Sequence, residues 1–176
     1  LSAQGHRVAL ISGGDSGVYA LAGLVYELNS KLDKREEIRV VQGVTSSISA
    51  AASLGAPLMH DFCQISLSDL MTDWSLIEKR LELASMADFV ICIYNPKSKG
   101  RQNHLKRAFE IMQAYKPATT PVGIVKNAGR TNEEKYIKTL ESMDFEVCDM
   151  STMIIVGNKE TYIDGDKIIT PRGYGI

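Results

Sequence analysis

Residues 88–94 read DFVICIY, in which Asp88 is followed by a run of apolar side chains that ends at Asn95-Pro96. A continuous apolar run of this length is typical of a strand that is buried on both faces of its sheet. Strands of this kind belong to parallel or mixed sheets that helices cover on both sides. The run therefore predicts an α/β fold in which residues 88–94 form an inner strand.

Strands and helices alternate on the N-terminal side of this run. Short apolar runs predict strands at residues 7–12, 38–42 and 62–67, and apolar residues at helical spacing predict helices over residues 16–28, 46–54 and 73–84. Ser16 and Asp73 are the predicted N-caps of the first and third helices. Gly55-Ala56-Pro57 is expected to end the second helix. This alternation favours parallel strand pairing.

The pattern changes on the C-terminal side. A helix is predicted over residues 101–115, followed by strands at residues 121–126, 135–140, 153–156 and 161–163. Strands with few helices between them indicate an antiparallel extension of the sheet. We place a boundary near residues 57–61. This predicts an N-terminal parallel α/β domain at residues 1–58 and a C-terminal mixed-sheet α/β domain at residues 59–176.

Composition excludes several classes of protein. The 176 residues are 44% hydrophobic, which excludes general disorder, and the net charge of −1 disfavours a nucleic-acid partner. No apolar run is long enough to span a membrane, so we expect no membrane partner and a cytoplasmic location. The three cysteines stand outside any CxxC pattern and are predicted to be free buried thiols. No metal site is expected.

The segment SGGDSG at residues 12–17 lies where a predicted strand ends and a predicted helix begins. Glycines there let the backbone approach a ligand closely, and a helix N-terminus offers free N–H groups. The carboxylate of Asp15 is suited to ribose hydroxyls or to a ligand amine. The segment is equally compatible with a glycine turn followed by a helix cap, so alone it does not identify a site.

The letters GDSG also occur around the nucleophilic serine of chymotrypsin-like proteases, and Gly-Asp-Ser occurs in GDS-type esterases. The first class is all-β, whereas this segment opens an amphipathic helix. The second carries an Asp-x-x-His pair late in the chain. The histidines here are His6, His60 and His104, and none has an aspartate three residues before it. A serine hydrolase is therefore disfavoured.

Six segments, in order, resemble the tetrapyrrole methyltransferases of the corrin and sirohaem pathways. They are VALISGGDSGVYALAG (8–23), VVQGVTSSISAAASLGAPL (40–58), HDFCQISLSDLMTDW (60–74), ADFVICIYNPKSKGR (87–101), TPVGIVKNAGR (120–130) and MIIVGN (153–158) with TPRGY (170–174). The middle segments are similar to the branch that methylates C17 of precorrin-3B or cobalt-factor III, the ring-contraction step of cobalamin (vitamin B12) synthesis. The resemblance covers nearly the whole chain.

The resemblance implies a two-domain tetrapyrrole methylase fold with S-adenosyl-L-methionine in the cleft, leaving S-adenosyl-L-homocysteine as the product. The residues that match the family's cofactor contacts are Gly13, Gly14, Asp15, Val18, Thr45, Ser46, Asn95 and Ala128. Thr45 and Ser46 are also suited to capping the following helix, and Asn95 to serving only as a turn residue before Pro96.

A tetrapyrrole substrate carries many carboxylates, and basic residues stand in loops of the matched segments: Lys97, Lys99, Arg101, Lys126, Arg130 and Arg172. The predicted substrate-binding residues are His60, Arg101, Asn127 and Arg130. A solvated loop at residues 97–101 is the alternative for the basic cluster, and His60 is also suited to capping an interdomain linker. The expected partners are the small-molecule tetrapyrrole and, since homodimers are common in the family, a second copy.

The chain departs from the family pattern at two places. Ser16 stands where the family usually has proline, and both residues suit a helix start. The family's first α/β unit, with its Gly-Pro-Gly loop, is expected to be missing ahead of Leu1. Methyl transfer from a sulfonium depends on alignment and exclusion of water, so no catalytic residue is predicted. Methylation at another position of a related tetrapyrrole, or an inactive truncated enzyme, stay open as alternatives.

Overall fold

The computed structural model describes residues 4–98 and 100–175. The chain divides into two compact units, Leu1–Ser46 and Ser47–Ile176. The domain boundary placed between residues 58 and 59 stays a prediction. Across the described residues, none of the helices is both long enough and apolar enough to cross a membrane.

In the described residues of the first unit, α1 (Ala22–Ser30) is the helix that lies wholly inside the unit. The strands predicted at residues 7–12 and 38–42 are wrong, because neither segment pairs with another strand in the described part of the chain. Their apolar side chains are open to solvent, with Ile11 87% and Val41 72% exposed. A segment of strand-like sequence needs neighbours to complete its backbone hydrogen bonds and to cover its side chains.

The start of the first helix also differs from the prediction. The helix begins at Ala22, and the N–H of Ala22 donates to the carbonyl of Ser16 at 3.0 Å. Ser16 is therefore not the N-cap, and its hydroxyl donates to the carbonyl of Val41 at 3.3 Å. The hydroxyl ties the glycine loop to the segment before Gly43, a role that a proline could not perform.

The remaining elements follow the sequence pattern more closely. The helices are α2 (Ser46–Leu54), α3 (Trp74–Met86) and α4 (His104–Gln113). The strands are β1 (Gly55–Ala56), β2 (Phe62–Ser66), β3 (Val90–Tyr94), β4 (Pro121–Lys126), β5 (Glu134–Thr139), β6 (Thr152–Val156), β7 (Tyr162–Asp164) and β8 (Lys167–Ile169).

The strands of the second unit form two sheets. The larger has the order β2-β3-β6-β4-β5, with β2 and β3 parallel and the other neighbours antiparallel. This confirms the predicted mixed α/β sheet with β3 inside it. The smaller sheet, β1-β8-β7, was not predicted, because two-residue β1 and three-residue β8 are too short to show a pattern.

Helices cover both faces of the larger sheet, which explains the continuous apolar run in β3. Alternate residues such as Ile91 and Ile93 join one core cluster with buried residues of α3 and α4. On the opposite face, Leu54 of α2 packs against Gly123 of β4, where an added Cβ would overlap the leucine methyls. A side chain at residue 123 would therefore displace α2.

Strand directions place several loop residues at one edge of this sheet. Because β3 and β4 are both antiparallel to β6, they run parallel to each other, and Ile93 and Ile124 both pair with Ile154. β2 runs in the same direction, with Ser66 paired to Tyr94. We call the edge at which β2, β3 and β4 end the carboxyl edge, and the opposite edge the amino edge.

Candidate functional site

The glycine loop of the first unit is organised around Asp15. One carboxylate oxygen accepts the N–H of Gly17 and the other accepts the N–H of Gly43, each at 2.8 Å. The hydrogen bond from Gly43, followed by that from Gly17, lowers the pKa of Asp15. Asp15 is thus an ionised carboxylate that joins the loop to a segment 28 residues further along the chain.

Two glycines allow this close approach. Gly14 has a φ of +71°, and a Cβ added to Gly43 would overlap the Gly14 carbonyl oxygen. Gly13 is exposed and has open space where a Cβ would stand. The loop therefore presents bare backbone beside a carboxylate, which suits close contact with a polar ligand.

Thr45, Ser46 and Val18 occupy positions around the same loop. The atoms nearest a Cβ built on Gly14 are the carbonyl oxygen of Val44, at 3.7 Å, and the Cα of Thr45, at 3.9 Å. Ser46 is half-buried as the first residue of α2, and half-buried Val18 donates its N–H to the carbonyl of Asp15. The structure therefore gathers Gly13, Gly14, Asp15, Val18, Thr45 and Ser46 within the first unit.

In the second unit, Asn95 directly follows β3 at the carboxyl edge. Its φ of +52° lies in the left-handed region, which asparagine tolerates better than most residues. Its side-chain amide donates to the Ser66 hydroxyl at 2.8 Å, and the N–H of Leu67 donates to the carbonyl of Tyr94 at 2.9 Å. Asn95 thus turns the chain, as its turn interpretation predicts, and is also held in one orientation.

Ala128 lies in a second turn at the carboxyl edge, after β4. Asn127 and Gly129 on either side of it have φ values of +51° and +75°. Glu133 accepts the N–H of Gly129 at 2.6 Å and also the hydroxyl of Ser53 on α2. Ala128 is therefore half-buried in a tight turn that is attached to α2.

Arg101 is directed inward. Its side chain is 9% exposed, and its guanidinium donates to the carbonyl of Leu67 at 2.8 Å and to the hydroxyl of Ser98 at 3.1 Å. Its Nε also lies 3.8 Å from a carboxylate oxygen of Asp69. These contacts join the loop after β2 to the loop after β3, so the guanidinium is engaged with protein groups in this structure.

The other predicted cations differ in how they are paired. Three have protein partners: Lys97 with Glu146, Lys126 with Asp149, and Arg172 with the carbonyl of Met59. Lys99 lies outside the described residues. Arg130 is exposed, and its guanidinium has no hydrogen bond or ion pair with residues 4–98 or 100–175. Its N–H donates to the carbonyl of Asn127 at 2.9 Å, which fixes its backbone beside the turn.

His60 lies at the amino edge, because it precedes β2. Its Nδ1 accepts the N–H of Asp61 at 2.8 Å, and its side chain is 42% exposed. The five residues of β2 separate this edge from the carboxyl edge by about 17 Å. The structure therefore places Asn127 and Arg130 at the same edge of the sheet as Asn95 and Ala128, and it places His60 at the opposite edge.

Asp149 supports the carboxyl edge from the loop before β6. It accepts the N–H and the hydroxyl of Ser151 at 2.8 and 2.6 Å, and it pairs with Lys126 at 3.3 Å. Partial burial acts to raise the pKa of Asp149, but these hydrogen bonds and one from Thr152 outweigh burial and lower the pKa to about 2. The surrounding donors therefore stabilise the ionised carboxylate of Asp149 more than its protonated form.

Replacing Asp149 by asparagine is expected to lower the Tm at pH 7 by about 3 °C. The folded-state pKa is below the ordinary value of 3.8, so the stabilisation is complete above about pH 4 and is lost as the pH falls towards about 2. The Tm difference from wild type should accordingly narrow across that range. Thermal unfolding at pH 7, 4 and 3 measures it, with Asp33→Asn on the exposed surface as the control. A difference independent of pH would contradict the assignment.

The cysteines carry no thiolate at neutral pH. Burial raises the pKa of Cys92 and Cys148 to about 12 and that of Cys63 to about 11. All three are free, as predicted, although Cys63 is only partly buried. In the part of the chain that the structure describes, no three His, Cys, Asp or Glu side chains are grouped closely enough to hold a metal ion.

Two residues of this region were missed from the sequence. Ser66 holds the amide of Asn95, and the hydroxyl of Tyr94 contacts Ser47 in the first turn of α2. Both lie at the ends of correctly predicted strands. Their contacts depend on strand register and on the position of a helix 47 residues away, which no local pattern contains.

Comparison with known proteins gives consistent matches along the chain. Residues 1–144 match the family model described as Tetrapyrrole (Corrin/Porphyrin) Methylases. A Salmonella typhimurium protein named probable cobalt-factor III C(17)-methyltransferase is 60% identical over 174 residues, covering 99% of this chain and 72% of that protein. A Sinorhizobium protein named precorrin-3B C(17)-methyltransferase is 44% identical over 181 residues, covering 98% of this chain and 71% of that protein. The crystal structure of the methyltransferase CobJ superposes with a TM-score of 0.93 at 35% identity, covering 97% of this chain and 72% of that one.

Proposed function

Because this chain belongs to the tetrapyrrole (corrin/porphyrin) methylase family, we propose that it methylates C17 of precorrin-3B or cobalt-factor III, with ring contraction, in cobalamin biosynthesis. The observation that carries the proposal is 60% identity, over almost the whole chain, to a relative named for that methyl transfer. The similarity to CobJ also confirms the predicted fold class. The chain spans 72% of the length of that relative.

The proposed methyl donor is S-adenosyl-L-methionine, which supplies a methyl group already activated by its sulfonium. Gly13 and Gly14 offer bare backbone for close contact, and Asp15 offers an ionised carboxylate. Each carboxylate oxygen has a further lone pair beyond the one that its backbone N–H occupies, so Asp15 can still accept a hydrogen bond from a ligand. These features fit a polar nucleoside ligand.

The second unit contributes Asn95 and Ala128 to this proposal. Both stand in or beside turns with left-handed backbone, held by Ser66 and Glu133 respectively. Backbone of this kind persists only when surrounding contacts enforce it, and it is often found at ligand sites. Together with Thr45, Ser46 and Val18, these residues are proposed to bind and orient the donor and to exclude water, which is the main requirement for methyl transfer.

For the substrate carboxylates we propose Arg130 and Asn127. The Arg130 guanidinium is exposed, and its planar fork matches a carboxylate in a bidentate geometry. Arg101 has its donors on Leu67 and Ser98, so its contribution is to shape the loops of the carboxyl edge. His60, at the amino edge, is left out of this site.

The test is an incubation of the protein with precorrin-3B or cobalt-factor III and S-adenosyl-L-methionine carrying a ¹³C-labelled methyl group. NMR should locate the label at C17 of a ring-contracted product. A label at another carbon would favour the related-tetrapyrrole alternative. Folded protein without turnover would favour the alternative of an inactive truncated enzyme. A cytoplasmic location and a homodimeric assembly complete the proposal, and sedimentation equilibrium measures the assembly.

A further inference from the structure

Tyr94, the last residue of β3, makes a buried polar contact with the first turn of α2. Its hydroxyl accepts the N–H of Ser47 at 3.2 Å and donates to the hydroxyl of Ser47 at 2.9 Å. Tyr94 is 8% exposed and Ser47 is fully buried. One hydroxyl thus links the carboxyl edge of the larger sheet to the start of a helix.

The contact supplies a partner that the helix itself cannot provide. The first four N–H groups of an α-helix have no intrahelical acceptor, and Ser47 is the second residue of α2. Buried away from water, its N–H needs an acceptor from elsewhere in the protein. A phenylalanine at residue 94 would fill nearly the same volume but would leave the N–H and the hydroxyl of Ser47 without this partner.

The position of this contact connects it with the proposed cofactor residues. Ser47 directly follows Ser46, and Tyr94 directly precedes Asn95, whose amide is held by Ser66. Tyr94, the last residue of β3, and Asn95, which follows it, therefore contact two different elements. Tyr94 secures the first turn of α2, and Asn95 is secured on the end of β2.

We propose that Tyr94 is a positioning residue for the S-adenosyl-L-methionine site, acting through Ser47 on the first turn of α2. The inference rests on the proposed function, since Ser46 and Asn95 are cofactor contacts only under that function. Tyr94 itself touches no ligand in this role. Its hydroxyl limits the movement of the backbone that presents Ser46.

The first experiment measures S-adenosyl-L-homocysteine binding to the Tyr94→Phe variant by calorimetry, at a temperature well below the unfolding of every protein compared. We expect the dissociation constant to rise about five-fold, the effect of one or two hydrogen bonds. The KM for S-adenosyl-L-methionine should rise by a similar factor, with kcat little changed. A residue that served stability alone would leave both constants unchanged in fully folded protein.

The matched control is Tyr115→Phe, just after α4, which removes an exposed hydroxyl that donates to Glu82 of α3 at 2.6 Å. The Tyr115→Phe variant should bind S-adenosyl-L-homocysteine with the wild-type dissociation constant. The Ser47→Ala variant removes the bond between the two hydroxyls but keeps the N–H bond to Tyr94, so it should weaken binding less than Tyr94→Phe does. The double variant should lose less than the sum of the two, because both changes remove the bond between the hydroxyls.

The outcomes separate this inference from the proposed function. Wild-type protein that fails to bind S-adenosyl-L-homocysteine contradicts the proposed function, and the positioning role with it. Wild-type binding that both Tyr94→Phe and Ser47→Ala leave unchanged contradicts the positioning role alone. Weaker binding by Tyr94→Phe with additive losses in the double variant contradicts the route through Ser47.

Discussion

Replacing Asp15 by alanine is expected to weaken S-adenosyl-L-homocysteine binding roughly ten-fold or more. The change removes the carboxylate that accepts the N–H groups of Gly17 and Gly43. It therefore removes both a proposed ligand contact and the link that holds the glycine loop against Gly43. Calorimetric titration of wild type and variant measures the loss.

Asp15→Asn keeps one oxygen acceptor and nearly the same shape, so its loss should be smaller than that of Asp15→Ala. Asp33→Ala, on the exposed surface of the same unit, should bind like wild type. Because hydrogen bonds lower the pKa of Asp15, its carboxylate stays ionised across pH 5–8, and titration of Asp15 should not alter wild-type affinity there. Unchanged affinity in Asp15→Ala would contradict the assignment of Asp15 to the cofactor site.

Replacing Lys116 by methionine is expected to cost about 3 kcal/mol in the free energy of unfolding, and about 9 °C in Tm. Its side chain is only 1% exposed, yet its ammonium donates to the carbonyls of Phe89 and Gly157 at 2.9 and 3.0 Å and pairs with Asp88 at 3.4 Å. Burial lowers the pKa of Lys116, and Asp88 opposes that effect.

The loss arises because methionine fills the space of the lysine stem but leaves one buried and one partly buried carbonyl without this donor. It also removes the cation beside Asp88, whose carboxylate keeps the N–H of Lys159. Those groups lie just before β3 and just after β6, two neighbouring inner strands, so the change weakens the centre of the larger sheet. Urea and thermal unfolding measure the effect. Lys106→Met, at an exposed position on α4, is the matched control and should stay close to wild type. Equal stability of the two variants would show that the Lys116 contacts contribute little.

The sequence predicted those elements whose pattern is local. The run at residues 88–94 marked an inner strand, and apolar spacing located α2, most of α3 and all of α4. The predictions at residues 7–12 and 38–42 were wrong for a physical reason. Apolar, β-branched residues indicate a preference for strands, but a strand exists only where another strand pairs with it. The described part of the first unit contains no such partner.

The residues of the candidate site were likewise predicted only in part. Its glycines, Asp15 and the Asn95 turn were identified from motifs, because loops that contact a ligand need particular residue types at particular places. The partners that fix those residues were not identified, since Gly43, Ser66 and Ser47 make their contacts over 28, 29 and 47 residues of chain.

By itself the sequence determined the family, the alternation of elements and the motif residues, because these depend on residue type and on spacing along the chain. Only the tertiary structure decided that Arg101 turns inward to hold two loops, that His60 lies at the amino edge and that Tyr94 secures α2. Such assignments depend on strand direction and register, which bring distant residues together and set others apart. A histidine or an arginine looks the same in sequence whether it faces a ligand or supports the loops around it.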